Sequence, residues 1–301
     1  MPNVTANGIQ IEYDTFGPRD ADPLLLVMGL GAQMIAWDEE FCEMIAAKGH
    51  HVIRFDNRDV GLSTKFDHLG MPDIPAIFAA RAQGNPVENA PYLLDDMADD
   101  AAALLGALGI ERAHIVGASM GGMIVQAMAI RHPKHVVSMT SIMSTTGNPA
   151  LPQAKPEAMA VLTTPAAEDR EGRIAQGLAS QKVIGSTGFP FDEARFRERA
   201  EMAYDRCFYP AGMMRQMAAI MASPSRKEAL GSVRVPSLVV HGDIDPLVPV
   251  EGGKDTAEAI PGAELLIIPG MGHDLPREVC PTIVDAMART AAKARQSAPA
   301  R

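Results

Sequence analysis

The chain has 301 residues, of which 47% are hydrophobic, with a formal net charge of −10 and a pI near 5.3. This length suits two small domains or one large α/β domain with an insertion, and the apolar content is ample for a buried core. The negative charge argues against nucleic acid or an anionic membrane surface as the main partner.

The sequence contains neither an apolar segment long enough to span a bilayer nor the basic and apolar regions of a secretory signal. We therefore expect a cytoplasmic protein. Cys42, Cys207 and Cys280 are odd in number and widely spaced, so we expect reduced thiols packed within the fold. The oligomeric state stays open, with a homodimer among the options.

The first segments predict the edge of a sheet and then a buried strand. Residues 8–13 alternate between apolar and polar side chains after Asn7-Gly8, a hairpin turn signal, which predicts an antiparallel edge hairpin. The apolar run at residues 24–27 is typical of a parallel strand covered on both faces. The glycines at residues 29 and 31 begin a dinucleotide-binding pattern, but its third glycine position holds Met34, which argues against a Rossmann site.

The middle of the first half contains an irregular region and an acidic one. Residues 65–94 carry prolines and glycines around a short helical piece at residues 77–82, and we expect this excursion to border the mouth of a site. The acidic sequence at residues 95–100 could suggest a cation site. Because carboxylates in the first turn of a helix are stabilised by the helix dipole, we interpret it instead as the start of a helix.

The most informative segment is Gly-Ala-Ser-Met-Gly at residues 117–121, between an apolar run at residues 113–116 and a helix-like stretch. In a strand-turn-helix setting, the tight turn places the Ser119 hydroxyl above the sheet, and a β-carbon two residues before or after would strike a neighbouring element. The pattern predicts a serine nucleophile, with the N–H of Met120 as one donor to a reaction oxyanion. The alternative is a glycine-rich turn with a bystander serine.

A long region without strand pattern follows, at residues 147–231. Proline-punctuated helix patterns in it cover residues 168–180, 192–204 and 211–221. Its many methionine and aromatic side chains are expected mainly to pack the helices together, while some face a ligand. The ligand surface implied by such residues is apolar, and it suits an uncharged ester better than a phosphate or a sugar acid.

A reactive serine needs a histidine base and a carboxylate that orients the histidine. In this architecture they follow in the order serine, acid, histidine, each on a loop after a later strand. The apolar run at residues 236–240 leads into a loop with Asp243 and Asp245, and the run at residues 264–268 leads to His273. Order and placement both fit, with two alternative acids. His114, inside the strand before Ser119, is expected to be packed.

Together these segments resemble the α/β-hydrolase family, in particular the serine esterase branch that includes the aclacinomycin methylesterases. The matching blocks lie at residues 27–31, 55–63, 117–121, 241–245 and 272–273. The resemblance implies a mostly parallel eight-stranded sheet with helices on both faces and an inserted helical cap. It also implies a division into core residues 1–146, a cap at residues 147–231 and core residues 232–301.

The resemblance also implies a role for each candidate residue. Ser119 is the nucleophile and His273 the base. Asp245 is the orienting acid, because the family's His-Gly-x-x-Asp pattern has its acid at the fifth position, which Asp243 does not occupy. In the loop after the first parallel strand, most relatives carry His-Gly and then the second oxyanion donor. This chain has methionine in place of that histidine, and Leu30 N–H is the implied donor.

The implied function is a serine carboxylesterase that cleaves apolar esters of small molecules and needs no cofactor or metal. Other chemistry on the same fold stays open, namely lactone or carbon–carbon bond hydrolysis and cofactor-free peroxidation. A ligand receptor that retains the three residues with little turnover is a further alternative. Residues 291–301, rich in alanine, are expected to form a frayed tail.

Overall fold

The sheet has eight strands in the order β1-β2-β4-β3-β5-β6-β7-β8 in the computed structural model, which describes residues 1–297. The strands are β1 (Asn3–Ala6), β2 (Ile9–Phe16), β3 (Asp22–Val27), β4 (His50–Phe55), β5 (Ala113–Ala118), β6 (Val136–Ile142), β7 (Ser237–Gly242) and β8 (Glu264–Ile268). The α-helices are α1 (Glu39–Ala46), α2 (Ile74–Ala82), α3 (Leu94–Ala107), α4 (Met120–Arg131), α5 (Pro156–Thr163), α6 (Arg170–Ile184), α7 (Glu193–Arg206), α8 (Pro210–Ala222), α9 (Lys227–Leu230), α10 (Val250–Ala259) and α11 (Cys280–Ser297).

Strand direction divides the sheet into a short antiparallel edge and a long parallel part. β1 pairs with β2 and β2 with β4 in antiparallel fashion, whereas all pairs from β4 to β8 are parallel. The β1–β2 turn places Asn7 and Gly8 at φ 47° and 75°, the left-handed conformations that such a turn requires. The predicted edge hairpin and the mostly parallel eight-stranded sheet are therefore confirmed.

Both faces of the sheet are covered by helices, because alternate residues of its strands enter two separate cores. Leu25 and Val27 of β3 join buried residues of α3 and α4 on one face. Leu24 and Leu26 of the same strand join α1 and α11 on the other face. This double covering explains why the parallel strands are continuous apolar runs in the sequence.

Five helices, α5 to α9, lie between β6 and β7, and we call the first four of them the α5–α8 insertion. The three helix patterns predicted in this region correspond to α6, α7 and α8, while the short α5 and α9 were not predicted. α8 is fixed to the core through buried polar contacts: Arg215 pairs with Asp59 at 2.8 Å, and Gln216 donates to the Arg58 carbonyl at 2.8 Å. The division at residues 147 and 231 stays a prediction.

The predicted tail at residues 291–301 is wrong for its first part, since α11 continues to Ser297. Ala291 and Ala294 recur on the buried face of this amphipathic helix, so small residues here serve packing. The rest of the predicted tail, residues 298–301, lies outside the described residues. Within the described part of the chain, no helix is both long and apolar enough to cross a membrane.

The acidic sequence at residues 95–100 is helical, as predicted, and its carboxylates have structural partners. Asp95 and Asp99 pair with Arg131 at 3.0 and 2.8 Å, and Asp100 pairs with Arg58 at 2.6 Å. The preceding excursion packs α2 against α8, where Arg81 donates to a carbonyl of α8 at 3.3 Å.

Candidate active site

The turn between β5 and α4 holds Ser119 in a strained conformation, with φ 55° and ψ −120°. A non-glycine residue with positive φ costs free energy and persists only where its surroundings fix it. Here the Ser119 N–H donates to the Ile142 carbonyl at 2.9 Å, and the Ser119 carbonyl accepts from Ser144 Oγ at 2.8 Å. The neighbouring strand β6 and the residues after it therefore hold the turn that presents the hydroxyl.

Glycine is required on both sides of Ser119, as the sequence predicts. A β-carbon on Gly117 would lie 2.0 Å from the Gly121 carbonyl oxygen, and one on Gly121 would lie 2.0 Å from the Val27 carbonyl oxygen. Gly29 also approaches closely, since a β-carbon there would lie 3.1 Å from that of Ser119. The loop after β3 thus passes directly beside the serine.

Three predicted side chains meet at this turn although they lie far apart in the sequence. His273 Nε2 is 2.9 Å from Ser119 Oγ, and His273 Nδ1 is 2.7 Å from Asp245 Oδ2. With the proton on Nδ1, the imidazole donates to the carboxylate and leaves Nε2 free to accept from the hydroxyl. The other carboxylate oxygen accepts the N–H groups of Leu247 and Val248, each at 2.9 Å, which fixes its orientation.

Asp243, the alternative acid, points elsewhere. Its side chain is exposed, and Oδ1 accepts the Gly270 N–H at 2.7 Å. His241 is fully buried behind the Asp245 loop and donates from Nε2 to the Val248 carbonyl at 2.8 Å, which ties this loop to the end of β7. Burial lowers the pKa of His241, which keeps this imidazole neutral.

Two backbone N–H groups are candidates for an oxyanion hole. Met120 begins α4, so its N–H has no acceptor within the helix. Leu30 lies in the loop after β3 and lines the same cavity as Ser119. The polar support of this loop comes from outside it: Asn57 Nδ2 donates to the Met28 carbonyl at 2.9 Å, and Gln216 Oε1 accepts the Gly31 N–H at 2.8 Å.

The cavity beside Ser119 has a volume of about 490 Å³ and lies between the sheet and the α5–α8 insertion. Insertion side chains that line it include Met159, Leu162, Phe196 and Met202. Other aromatic side chains of the insertion instead pack on each other, such as Tyr204 on Phe208. The expected mixture of packing and ligand-facing residues is therefore observed. No residue of the 65–94 excursion lines this cavity, so its predicted place at the mouth is wrong.

The charged groups in the cavity wall are paired. Arg195 and Arg199 of α7 both contact the Asp38 carboxylate, and Arg199 also donates to the Ala36 carbonyl at 2.7 Å. Such internal pairing leaves the apolar groups as the main contact surface for a ligand. Sequence patterns did not indicate these residues, because each lies in an ordinary helical or loop sequence and finds its partner through the tertiary fold.

Histidine and cysteine side chains elsewhere have structural surroundings. His114 is buried in β5 as predicted, bonds Ser138 Oγ at 2.7 Å, and has its pKa lowered by burial to about 4. All three cysteines are free, and burial raises the pKa of Cys42 to about 12 and that of Cys280 to about 11. Among residues 1–297, no group of three or more His, Cys, Asp or Glu side chains could hold a metal ion.

A family model described as the α/β hydrolase fold matches residues 22–276. The chain belongs to the α/β hydrolase fold family. It is 31% identical over 284 residues to rhodomycin D methylesterase DauP of Streptomyces sp. strain C5, covering 87% of this chain and 88% of that protein. It is 26% identical to the bifunctional esterase/perhydrolase DCH of Acinetobacter calcoaceticus, covering 93% of this chain and 95% of that protein.

Solved structures agree at the level of the fold. A meta-cleavage product hydrolase of Pseudomonas fluorescens IP01 matches with a TM-score of 0.73 at 20% identity, covering 98% of both chains. The enol-lactonase of Burkholderia xenovorans LB400 matches with a TM-score of 0.70, also at 20% identity, over 98% of this chain and 100% of that one. These findings confirm the fold class, and the similarity to DauP confirms the resemblance to the methylesterase branch.

Proposed function

We propose that the protein hydrolyses apolar carboxylic esters through an acyl-enzyme on Ser119. The observation that carries the proposal is the hydrogen-bonded line from Asp245 through His273 to Ser119, which reaches the wall of the cavity. Relatives along most of the chain are named as a methylesterase and an esterase/perhydrolase. The protein is accordingly a carboxylic ester hydrolase.

In the first half of the reaction, Ser119 Oγ attacks the carbonyl carbon while His273 Nε2 takes the hydroxyl proton. Asp245 stabilises the imidazolium that forms and holds the ring in the correct tautomer. The tetrahedral intermediate then collapses as His273 returns the proton to the leaving alcohol. The acid stays bound to Ser119 as an ester.

The oxyanion of each tetrahedral intermediate is placed between the N–H groups of Leu30 and Met120. A donor of this kind contributes about a hundredfold to a thousandfold in rate, because it is fixed before charge develops. In the second half of the reaction, His273 takes a proton from water, which attacks the acyl-enzyme. The acid leaves and Ser119 recovers its proton.

The α5–α8 insertion, within residues 147–231, acts as a cap over this site in the proposal. Its methionine and aromatic side chains form the apolar wall opposite Ser119, and a cap of this kind excludes water from the reaction. The paired charges in the wall favour an uncharged ligand. Because DauP is named as a methylesterase, methyl esters of bulky apolar acids are the first natural-type substrates to test.

The test compares p-nitrophenyl esters of increasing acyl length with methyl esters of aromatic acids, under conditions that count turnovers per enzyme. Many turnovers that are stopped by a fluorophosphonate would support the proposal. Stoichiometric labelling with negligible turnover would contradict it and favour the ligand-receptor alternative. Hydrogen peroxide added as a competing acceptor distinguishes ester hydrolysis from perhydrolysis.

A cytoplasmic location is part of the proposal, supported by free cysteines of which Cys42 and Cys280 are buried. The homodimer option from the sequence stays a prediction. Size-exclusion chromatography with light scattering measures the oligomeric state directly.

A further inference from the structure

The loop that carries His273 lies at the edge of the sheet. It spans residues 269–279 between β8 and α11, and we call it the His273 loop. β8 is the last strand of the sheet, so only β7 supports it from within the sheet. From that side, Asp243 accepts the Gly270 N–H at 2.7 Å, and the Ile244 N–H donates to the Met271 carbonyl at 3.3 Å. The opposite side of the loop needs another support.

That support is the end of α6 and the residues that follow it, and Ser186 is its centre. Ser186 Oγ accepts the Gly272 N–H at 2.8 Å and donates to Asp274 Oδ1, which also accepts the Ser186 N–H at 2.8 Å. Between Gly272 and Asp274, the His273 N–H donates to the carbonyl of Ile184, the last residue of α6, at 2.7 Å. The residues directly before and after His273 are therefore both bound to Ser186.

Glycines bring the two segments into backbone contact. The Gly188 N–H donates to the Gly270 carbonyl at 3.0 Å. A β-carbon on Gly188 would lie 2.4 Å from the Gly270 α-carbon, and one on Gly272 would lie 2.5 Å from the Gly185 carbonyl carbon. Two backbones this close have little freedom to slide, so the position of one fixes the position of the other.

We propose that Ser186 is a positioning residue for the reaction, which holds the His273 loop so that the imidazole stays in line with Ser119. The inference rests on the proposed function, because His273 must serve as the base. It gives the α5–α8 insertion a second task besides covering the cavity. Through Ser186, the insertion supports one side of the loop that carries His273.

The hydroxyl suits this position because it accepts one hydrogen bond and donates another. Alanine would leave the Gly272 N–H and one Asp274 oxygen without that partner, whereas threonine retains both bonds. Burial raises the pKa of Asp274, while its hydrogen bonds from Ser186 favour the charged form. The charged form of Asp274 is therefore stabilised by Ser186, and the position of the His273 loop depends on both residues.

The experiment compares Ser186→Ala and Ser186→Thr with the matched control Ser180→Ala. Ser180 lies in α6, close before Ser186 in the chain, but its hydroxyl donates to the Gln176 carbonyl of the same helix, at 2.8 Å. We expect Ser186→Ala to lower kcat about tenfold with KM within about twofold, because a small displacement of a catalytic group costs rate more than binding. Ser186→Thr should recover most of the rate, and Ser180→Ala should behave like the wild type.

A second measurement does not depend on turnover. Hydrogen–deuterium exchange followed by mass spectrometry should show faster exchange of the 269–275 peptide in Ser186→Ala, and no change there in Ser180→Ala. Unchanged exchange would overturn the proposal, and so would faster exchange with an unchanged kcat. A loss of kcat that Ser186→Thr does not restore would also overturn it.

A wild-type enzyme that neither turns over esters nor reacts with a fluorophosphonate would instead contradict the proposed function. The exchange result then decides separately whether Ser186 holds the loop. If Ser186→Ala melts at a much lower temperature than the wild type, its kcat and peptide exchange are measured well below its own melting temperature, where unchanged exchange of the 269–275 peptide still overturns the proposal.

Discussion

The Ser119 turn and the His273 loop meet at one hydrogen bond, but the chain builds them in different ways. The Ser119 turn is formed mainly by adjacent residues: the end of β5, Ser119 and the start of α4 form it, glycines on either side provide the space, and β6 bonds to its backbone. The His273 loop depends on two distant segments, namely the Asp243–Asp245 loop that follows β7, and Ser186. A locally determined site leaves a motif in the sequence, whereas one determined by several segments leaves only single residues.

Replacement of the nucleophile gives the largest expected effect. Ser119→Ala should lower kcat for a p-nitrophenyl ester by about a millionfold, because removal of the nucleophile removes the whole covalent pathway. The melting temperature should not fall, since alanine also fits the space. The initial rate is measured at high enzyme concentration, and the melting temperature of the variant is compared with that of the wild type. A rate near that of the parent would show that Ser119 is not the nucleophile.

Substitutions of the two acids in the loop after β7 distinguish two roles: orientation of the His273 imidazole and support of the His273 loop. Asp245→Asn should lower kcat about ten-thousandfold, because the amide favours the wrong imidazole tautomer. Asp243→Asn retains an oxygen that accepts the Gly270 N–H, so we expect at most about a fivefold loss. The kcat values of the two variants are measured with the same ester and compared. Equal losses would mean that the acid has been assigned wrongly.

Two glycine substitutions compare the stiffness of the two regions. Gly121→Ala should lower the free energy of unfolding by about 3 kcal/mol or more, because its β-carbon would meet the Val27 carbonyl in a packed core. Gly188→Ala should cost less, about 1 kcal/mol, because the Gly188–Gly270 contact that its β-carbon disrupts lies at the exposed edge of the sheet and not in a packed core. Urea denaturation measures both values. A larger loss for Gly188→Ala would reverse the comparison.

Acid should weaken β5, the strand that presents Ser119, through His114. Its pKa falls from 6.5 to about 4 on folding because of burial, so the unfolded chain takes up the proton first. The stability that this histidine contributes is present above pH 6.5 and is lost as the pH falls toward 4, with about 2 kcal/mol lost by pH 5. The free energies of unfolding of wild type and His114→Gln at pH 7.5 and pH 5 test this. An equal loss in both proteins would contradict it.

The sequence predicted most of the fold because the strands have distinctive runs. β7 and β8 agree with the predicted apolar segments, and the hairpin at Asn7-Gly8 follows from turn chemistry. Residues 291–297 were predicted wrongly, because alanine-rich sequence suits both a frayed end and the buried face of an amphipathic helix. Periodicity alone did not separate these two outcomes.

Only part of the candidate site could be predicted from the sequence. The Ser119 turn follows from its glycines, but the choice of Asp245 over Asp243 came from family resemblance, and distances now separate the two. Ser186 and Gln216 had no sequence signal, because each acts through partners more than eighty residues away. Such contacts exist only after the α5–α8 insertion has docked on the sheet.

Trapping the acyl-enzyme tests most directly whether the reaction passes through Ser119. The protein is mixed with an excess of p-nitrophenyl ester, quenched in acid within milliseconds and digested for mass spectrometry. We expect a mass increase equal to the acyl group on the peptide that contains Ser119, formed with a burst of p-nitrophenol and absent in His273→Ala. Rapid ester turnover with no acyl group on Ser119, or with the group on another residue, would show that Ser119 is not the nucleophile.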